Sequence, residues 1–407
     1  MDSRCESSTV SVVQQRPLQD AATGTHASHA HHDESARHAS ATVAVWEMLS
    51  SGVTTFVDYS PMRPDWVERI EELGIRTCFA PSFRSGTWYT ANGREVVYDW
   101  DEAAGWRAFD EAMAFLDGIA ARKDDRFMAM VAPGQIDTCT PELIQKAHAE
   151  AVRRDLPFTI HAAQSVVEFR EIMKRHGMTP IEWLEHLGVL TERMIVGHAI
   201  FLDQHSWIRW PDHRDLDRLA ASGCSVAHCP VQFSRGGITL EHFSRYVAAG
   251  VNMAIGTDTY PHNMLDEMKT AAILGKVAGR DVDGASAAQV FHAATIGGAK
   301  VLRRDDLGRI ATGCKADLVM IDLTHPMMQP ARDPLRGLLF SAQDRAIKDV
   351  WVGGRLRVQD GRPLGIDTAT ATAELAAGQA RALPGVPHRD WAKRTADEAF
   401  PLALPIR

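Results

Sequence analysis

Several features that would set this chain apart from an ordinary globular enzyme are missing from it. It has no dense Lys/Arg run, and a formal charge of −8 argues against a nucleic-acid-binding surface. No apolar run reaches the roughly 18 residues that a membrane-spanning helix needs, and the first residues lack the basic-then-apolar order of a signal peptide. The six cysteines form no CxxC pair and no disulfide framework. We therefore expect a cytoplasmic protein with reduced thiols and neither nucleic acid nor membrane as a partner.

The sequence does contain a regular alternation of short apolar runs with helix-like segments. Strands that are each joined to the next by a helix must pair in parallel. The pattern predicts an α/β fold of the (β/α)8 TIM-barrel type. It does not favour a doubly wound open sheet, because no GxGxxG turn follows the first run. Thr140 is the predicted N-cap of one helix. The seven runs are residues 53–58, 75–81, 126–133, 156–163, 193–202, 224–230 and 251–258.

Seven strands are one fewer than the barrel needs, and the deficit lies at the front of the chain. Only residues 8–15 could supply a first strand, and they are short and polar on both sides, so this strand is expected to be weak or missing. The division of the chain that we predict has four parts. These are a His-rich disordered tail over 1–34, the barrel over 35–304, a small β-sandwich-like unit over 305–365, and a C-terminal helix and tail over 366–407.

Three residues with metal-ligand chemistry stand at the ends of predicted strands. His161 and His198 end two runs and Asp258 ends a third, and the carboxyl ends of barrel strands open on one face. Two neutral imidazoles and a carboxylate suit a divalent transition ion that keeps positions open for water. Packed core histidines, or Asp258 as a helix cap, are the alternatives. His228 should face the same mouth, either to contact substrate and a developing negative charge or simply to pack.

The motifs around these residues resemble those of the amidohydrolase superfamily. From about residue 36 to 365 the chain is similar to the branch that holds cytosine, guanine and S-adenosylhomocysteine deaminases and the triazine chlorohydrolases. The segments that carry this resemblance are SGVTTFVD, TIHAAQ, GHAIFLD, VAHCPV, GTDTYPHN and GCKADLVMIDL. The resemblance implies that His161, His198 and Asp258 bind one divalent ion, Zn²⁺ with Fe²⁺ as the alternative. It also implies that Asp258 accepts the proton of the activated water and that His228 stabilises charge.

The chain departs from that family pattern at two places. The family carries an HxH at the end of its first strand, and the formal HxH here, His29-Ala-His31, lies 21 residues before Gly52 and follows no strand. We expect both histidines to lie away from the metal, with ligation as the alternative. The second departure is Gln164, which stands where those deaminases have a glutamate, and an amide cannot carry a proton at neutral pH. Gln164 is therefore assigned to substrate binding. His262 is assigned to substrate binding as well, because it lies in the loop that follows Asp258.

The function that this pattern favours is hydrolysis of a non-peptide C–N bond by metal-activated water. The substrate would be a cyclic amidine, an amide or a related heterocycle, and C–Cl displacement on a triazine is the runner-up within the same chemistry. No lysine lies at the end of the run over residues 126–133, where it could bridge two metals, so one ion is expected. Glu267 is assigned to the exposed or packing side of its helix. The alternative of a different class is a catalytically silent barrel with a structural or oligomeric role. A small-molecule substrate and a homodimer or larger homo-oligomer are the expected partners.

Overall fold

The computed structural model of the chain describes residues 33–404, and parallel strands form its centre. Each of the seven predicted apolar runs holds all or most of a strand, and the third run, residues 126–133, contains two short ones. Residues 8–15, the candidate first strand, lie outside the described residues. The strands are β1 (Thr55–Ser60), β2 (Arg76–Phe83), β3 (Gly86–Tyr89), β4 (Val97–Trp100), β5 (Phe127–Ala129), β6 (Ala132–Pro133), β7 (Phe158–Ala162), β8 (Met194–His198), β9 (Ser225–His228), β10 (Asn252–Ile255), β11 (Leu318–Ile321), β12 (Ile347–Val352), β13 (Arg355–Gln359) and β14 (Arg362–Pro363).

Parallel pairing links the barrel strands in chain order. β1 pairs with β2, and β2 pairs with β5 and then with β6. Single parallel bridges, Val131 to Phe158 and Gln135 to His161, carry the order on to β7. β7 pairs with β8, β8 with β9, and β9 with β10. The chain therefore forms a series of seven neighbouring parallel strands, with β5 and β6 counted as one. β1 lies at one end of the series and β10 at the other.

Helices occupy most of the connections, and their ends follow ordinary capping chemistry. The predicted cap Thr140 accepts the backbone N–H of Leu143, and Thr179 and Ser286 form full capping boxes with Glu182 and Gln289. The helices are α1 (Glu34–Ser50), α2 (Trp66–Leu73), α3 (Glu102–Arg122), α4 (Pro141–Arg153), α5 (Val166–His176), α6 (Pro180–His186), α7 (Asp215–Ser222), α8 (Pro230–Arg235), α9 (Phe243–Ala248), α10 (Met264–Gly279), α11 (Ala287–His292), α12 (Gly298–Val301), α13 (Pro334–Gly337), α14 (Thr368–Ala382), α15 (Val386–Arg389) and α16 (Ala396–Ala399). No helix within the described part of the chain is long and apolar enough to cross a membrane.

A cavity of about 540 Å³ lies between the two ends of the strand series. Residues 54–57 of the β1 side and residues 254–257 of the β10 side both line it, together with side chains from the barrel interior such as Tyr59 and Ile195. Within residues 33–404 no strand pairs with the outer edge of β1 or of β10. The strand series is therefore open at this point.

The small C-terminal sheet packs beside the open side of the barrel. It consists of β11, β12, β13 and β14 in antiparallel order. A buried ion pair joins it to the barrel: Arg76 of β2 donates to both carboxylate oxygens of Asp317, over 2.7 Å from Nε and 3.1 Å from Nη2. Asp317 belongs to the GCKADLVMIDL segment, so that motif supplies part of the contact between the two units.

A two-stranded hairpin interrupts the regular alternation after β2. β3 and β4 pair in antiparallel register, from Gly86 opposite Trp100 to Tyr89 opposite Val97. The hairpin was not predicted, although its turn contains Asn92-Gly93, a dipeptide that is typical of tight β-hairpin turns. Its side chains contact the loop after β6, which brings it close to the candidate site.

Candidate active site

The strand register brings three histidines to one end of the barrel. His161 lies one residue before the end of β7, and His198 and His228 are the last residues of β8 and β9. His198 is paired with Ala162, and His228 is paired with Ile255 of β10. Asp258 follows β10 by three residues in a left-handed conformation with φ of 57°, which an aspartate tolerates better than most residues. All four side chains are buried.

Backbone carbonyl groups orient two of these imidazoles in the same way. His161 Nδ1 lies 2.8 Å from the carbonyl oxygen of Gly134, and His198 Nδ1 lies 3.1 Å from that of Ala227. A carbonyl oxygen can only accept, so each Nδ1 carries the proton and each Nε2 keeps its lone pair. Metal-binding histidines are usually fixed by a hydrogen bond of this kind at the other ring nitrogen. Both side chains are therefore prepared to act as ligands through Nε2.

The candidate ligands are neighbours, but they do not form a compact cage. His198 Nε2 lies 3.7 Å from Asp258 Oδ2, and the ring centroids of His161 and His198 are 5.4 Å apart. Across residues 33–404, no three His, Cys, Asp or Glu side chains are grouped closely enough to hold a metal ion. His29 and His31 lie outside the described residues. The donor types and the free Nε2 atoms suit a divalent ion, and the metal role of all five residues stays a prediction.

Burial keeps the three strand-end histidines neutral. It lowers the pKa of His161 to about 4 and that of His228 to about 3. The pKa of His198 falls well below its usual value, mainly through burial and also through the nearby His161. A histidine must be neutral to bind a metal, so all three are in the form that ligation requires at neutral pH. His228 Nδ1 has no hydrogen-bond partner within the described residues, which leaves it available to a substrate.

His262 lies in the loop that follows Asp258 and is also buried. Its Nδ1 is 3.1 Å from Thr257 Oγ1, and its backbone N–H donates to Glu47 of α1 over 2.8 Å. Burial lowers the pKa of His262 to about 4. The loop is therefore attached to α1, and the substrate contact assigned to His262 stays a prediction.

Gln164 lies three residues after His161, and its backbone contacts Glu168. Glu168 was not predicted to belong to the site. The carboxylate of Glu168 accepts the backbone N–H groups of Ala163 over 2.7 Å and of Gln164 over 3.0 Å. Burial raises the pKa of Glu168 well above its usual value, and the neighbouring Asp137 adds to the effect. The Ser165-x-x-Glu168 pattern, a capping-box signature at the start of α5, could have indicated this glutamate from the sequence.

Glu267 is a second acidic residue whose place the sequence describes poorly. It was assigned to the exposed or packing side of its helix, and it is fully buried on α10. One carboxylate oxygen accepts the backbone N–H of Val231 over 3.0 Å. Burial raises the pKa of Glu267 well above its usual value, and Asp258 contributes to the shift. Glu267 therefore lies on the packing side of α10, near Asp258 of the candidate site.

Comparison with known proteins identifies the family to which this fold belongs. The sequence pattern of the amidohydrolase family matches residues 12–357. A 5-methylthioadenosine/S-adenosylhomocysteine deaminase of Nitratidesulfovibrio vulgaris is 30% identical over 338 residues, which cover 81% of this chain and 71% of that protein. The crystal structure of an adenosine deaminase from Xanthomonas campestris with bound zinc superposes with a TM-score of 0.73 at 25% identity, over 84% of this chain and 74% of that one.

An atrazine chlorohydrolase from Arthrobacter aurescens, solved with zinc, shares the fold alone. Its TM-score is 0.72 at 22% identity, over 84% of this chain and 76% of that one. A barrel with ligand-type residues at its strand ends defines the class of metal-centred barrel hydrolases. Within that class, the chain belongs to the amidohydrolase family. The predicted family and fold class are thus confirmed, and so is the prediction of an enzyme of this hydrolase class.

Proposed function

We propose that this protein is a metal-dependent hydrolase that cleaves a non-peptide C–N bond in a cyclic amidine or a related heterocycle. Aminopurine nucleosides are the substrate class to test first, because the relatives named above are deaminases of adenosine-type compounds. The observation that carries the proposal is the common orientation of His161 and His198, whose Nε2 atoms keep their lone pairs, with His198 Nε2 lying 3.7 Å from Asp258 Oδ2. Sites at the carboxyl ends of barrel strands are where enzymes of this fold carry their catalytic residues.

His161, His198 and Asp258 would hold one divalent ion, Zn²⁺ or Fe²⁺. Such an ion supplies a bound water whose pKa is lowered towards about 7. The adenosine deaminase solved with bound zinc supports this choice. A single ion is proposed because no lysine lies at the end of β6 to bridge two metals.

The side chains of the site divide the remaining work among them. Asp258 Oδ2 accepts the proton of the water and returns it to the leaving nitrogen, as a general base and then a general acid. His228 lies beside His198 and donates a hydrogen bond to the negative charge that develops on the substrate. Gln164 and His262 contact the substrate through hydrogen bonds. Because Gln164 cannot carry a proton, the favoured substrates are those whose leaving group can take its proton from Asp258.

Zinc analysis and a substrate panel test the proposal on the full chain. Protein loaded with zinc and then dialysed should hold no more than one equivalent by elemental analysis. Adenosine, cytosine and guanine should then be assayed by ammonia release, a chlorinated triazine by chloride release, and a cyclic amide by the carboxylate that ring opening forms. We expect C–N hydrolysis of at least one, and an activity loss of about 10²- to 10⁴-fold in Asp258→Asn. The exposed Asp212→Asn is the matched control. Two equivalents of zinc would contradict the single-ion site, and turnover unaffected by Asp258→Asn would contradict the proton route.

A catalytically silent barrel with a structural or oligomeric role is the second candidate. It is favoured by the lack of a compact three-ligand group among residues 33–404. In that case zinc would be lost on dialysis, and no compound of the panel would be hydrolysed. The homo-oligomer predicted from the sequence would then be the property to measure, by light scattering of the purified chain.

A further inference from the structure

The β3–β4 hairpin closes a small pocket next to His161. Trp88 of β3 donates its indole N–H to Gln135 Oε1 over 3.2 Å, and Tyr98 of β4 donates its hydroxyl to Asp137 Oδ2 over 2.6 Å. Gln135 is paired with His161 by a parallel β-bridge. The pocket therefore adjoins one of the candidate metal ligands. We call it the acceptor pocket, and it is lined by Trp88, Val96, Tyr98, Gln135, Asp137, Gln164, Ser165, Val167 and Glu168.

Two hydrogen-bond acceptors in this pocket lack a donor. Asp137 Oδ1 and Gln164 Oε1 are both buried, and neither has a hydrogen-bond partner among the residues that the structure describes. The space between the lining residues is about 10 Å³. That is about the room that one water-sized group needs. Leaving a buried acceptor without a donor costs free energy, so binding of a donor group of that size at this position is favoured.

Three of the neighbouring groups are already engaged in other contacts. The Tyr98 hydroxyl is already committed to the other oxygen of Asp137. The Glu168 carboxylate is occupied by the backbone N–H groups of Ala163 and Gln164. Arg175 donates from Nη1 to the backbone oxygen of Asp137 over 2.7 Å, and its guanidinium lies 4.3 Å from the Tyr98 ring. Asp137 Oδ1 and Gln164 Oε1 are therefore open to a donor from a ligand or from solvent.

The charge of the surroundings favours a neutral donor over a cation. Burial raises the pKa of Asp137, and it raises that of Glu168 well above its usual value, with the nearby Asp137 adding to the shift of Glu168. The Arg175 guanidinium adds a positive charge beside them. An ammonium group would lie close to that guanidinium, whereas a hydroxyl group satisfies an acceptor without adding charge.

We propose that the acceptor pocket is a substrate subsite that takes one hydroxyl group of a ribose-like moiety, which donates to Gln164 Oε1 or Asp137 Oδ1. This inference rests on the proposed function, because the hydroxyl belongs to the part of the same substrate that does not react. It gives Gln164 a role that needs no proton transfer. It also makes the β3–β4 hairpin a determinant of which sugar the site accepts.

Binding of nucleosides that cannot be deaminated tests the subsite separately from turnover. Inosine and its 2′-deoxy, 3′-deoxy and 5′-deoxy forms should be titrated by calorimetry into the full-length protein and into Gln164→Leu. The matched control is Gln145→Leu, which makes the same change at an exposed position of α4. In the wild type and the control, loss of one particular hydroxyl should weaken binding by about tenfold. In Gln164→Leu, loss of that hydroxyl should make no difference if the hydroxyl donates to Gln164, and the effect should be lost in Asp137→Asn instead if it donates to Asp137. Asp137→Asn, with circular dichroism as a check of folding, gives a second measure of the same discrimination.

The outcomes separate the subsite from the proposed reaction. Equal binding of all four inosine forms to the wild type, or binding of none, would overturn the subsite. So would a tenfold hydroxyl effect that persists in both Gln164→Leu and Asp137→Asn. Adenosine turnover is measured in parallel: turnover together with hydroxyl-insensitive binding refutes the subsite alone. Hydroxyl-sensitive binding without turnover refutes only the proposed reaction.

Discussion

Replacing Asp317 by alanine tests the contact that joins the barrel to the small C-terminal sheet. Arg76 and Asp317 have side chains that are only 1% and 6% exposed, and the guanidinium makes two hydrogen bonds to the carboxylate. Asp317 also accepts the backbone N–H of Gly353 over 2.6 Å. Removing the carboxylate leaves a buried guanidinium without its main counter-charge, which typically costs about 3–5 kcal/mol. Arg76 keeps a hydrogen bond to the backbone oxygen of Asp125 over 2.8 Å, so we expect about 3 kcal/mol.

Urea unfolding, followed by tryptophan fluorescence and near-ultraviolet circular dichroism, measures this loss of free energy. Agreement of the two signals shows whether the barrel and the sheet unfold together. The matched control is Asp117→Ala, because Asp117 is 65% exposed and pairs with Arg154 at the surface. An exposed pair contributes about 1 kcal/mol or less. If Asp317→Ala lowered the free energy of unfolding no more than Asp117→Ala does, the argument from burial would be wrong.

Three further predictions concern packing, helix propensity and pH. Gly297→Ala should destabilise the protein by about 1–3 kcal/mol, since its new Cβ would lie 2.2 Å from the Met253 carbonyl oxygen. Gly118→Ala, in mid-helix with nothing within 4 Å, should stabilise it by about 0.5–1 kcal/mol, and urea midpoints check both. Burial, aided by nearby Asp203, raises the pKa of Asp215 to about 7. The folded chain therefore keeps a proton that the unfolded chain loses above about pH 4. Stability from this group falls as pH rises from about 4 to 7, by on the order of 3–4 kcal/mol. Asp215→Asn should flatten that slope, and an unchanged slope would assign the pH dependence to other groups.

Periodicity in the sequence was enough to predict the barrel strands because each strand is a local apolar run. Residues 156–163 and 193–202, for example, contain β7 and β8, and the histidines at or near the ends of these strands were predicted to be site residues from their position and from the family resemblance. The rule that barrel sites lie at the carboxyl ends of the strands needs no knowledge of long-range contacts. Local pattern and one general rule thus predicted the fold class and the residues of the candidate site.

The rest depends on contacts between residues that are far apart in the sequence. Asp137 and Tyr98 are 39 residues apart, and nothing local indicates that the hairpin brings them together. The carbonyl group of Gly134, which orients the His161 ring, is likewise 27 residues away from it in the sequence. The β3–β4 hairpin itself has only four residues in each strand, too few for a clear alternation. Such pairings decide the shape of the acceptor pocket, so the substrate subsite could not be predicted from sequence.

The open strand series has a consequence for handling the purified protein. Unpaired backbone N–H and C=O groups along a strand edge can pair with a strand of another molecule. Within residues 33–404, β1 and β10 each present such an edge, and both edges border the same 540 Å³ cavity. Where these edges are free, we expect association through this gap between β1 and β10 to increase with protein concentration, because crowded molecules can add strands there. A short synthetic peptide of alternating Val and Thr, supplied in excess, would compete for the gap and keep the chains apart.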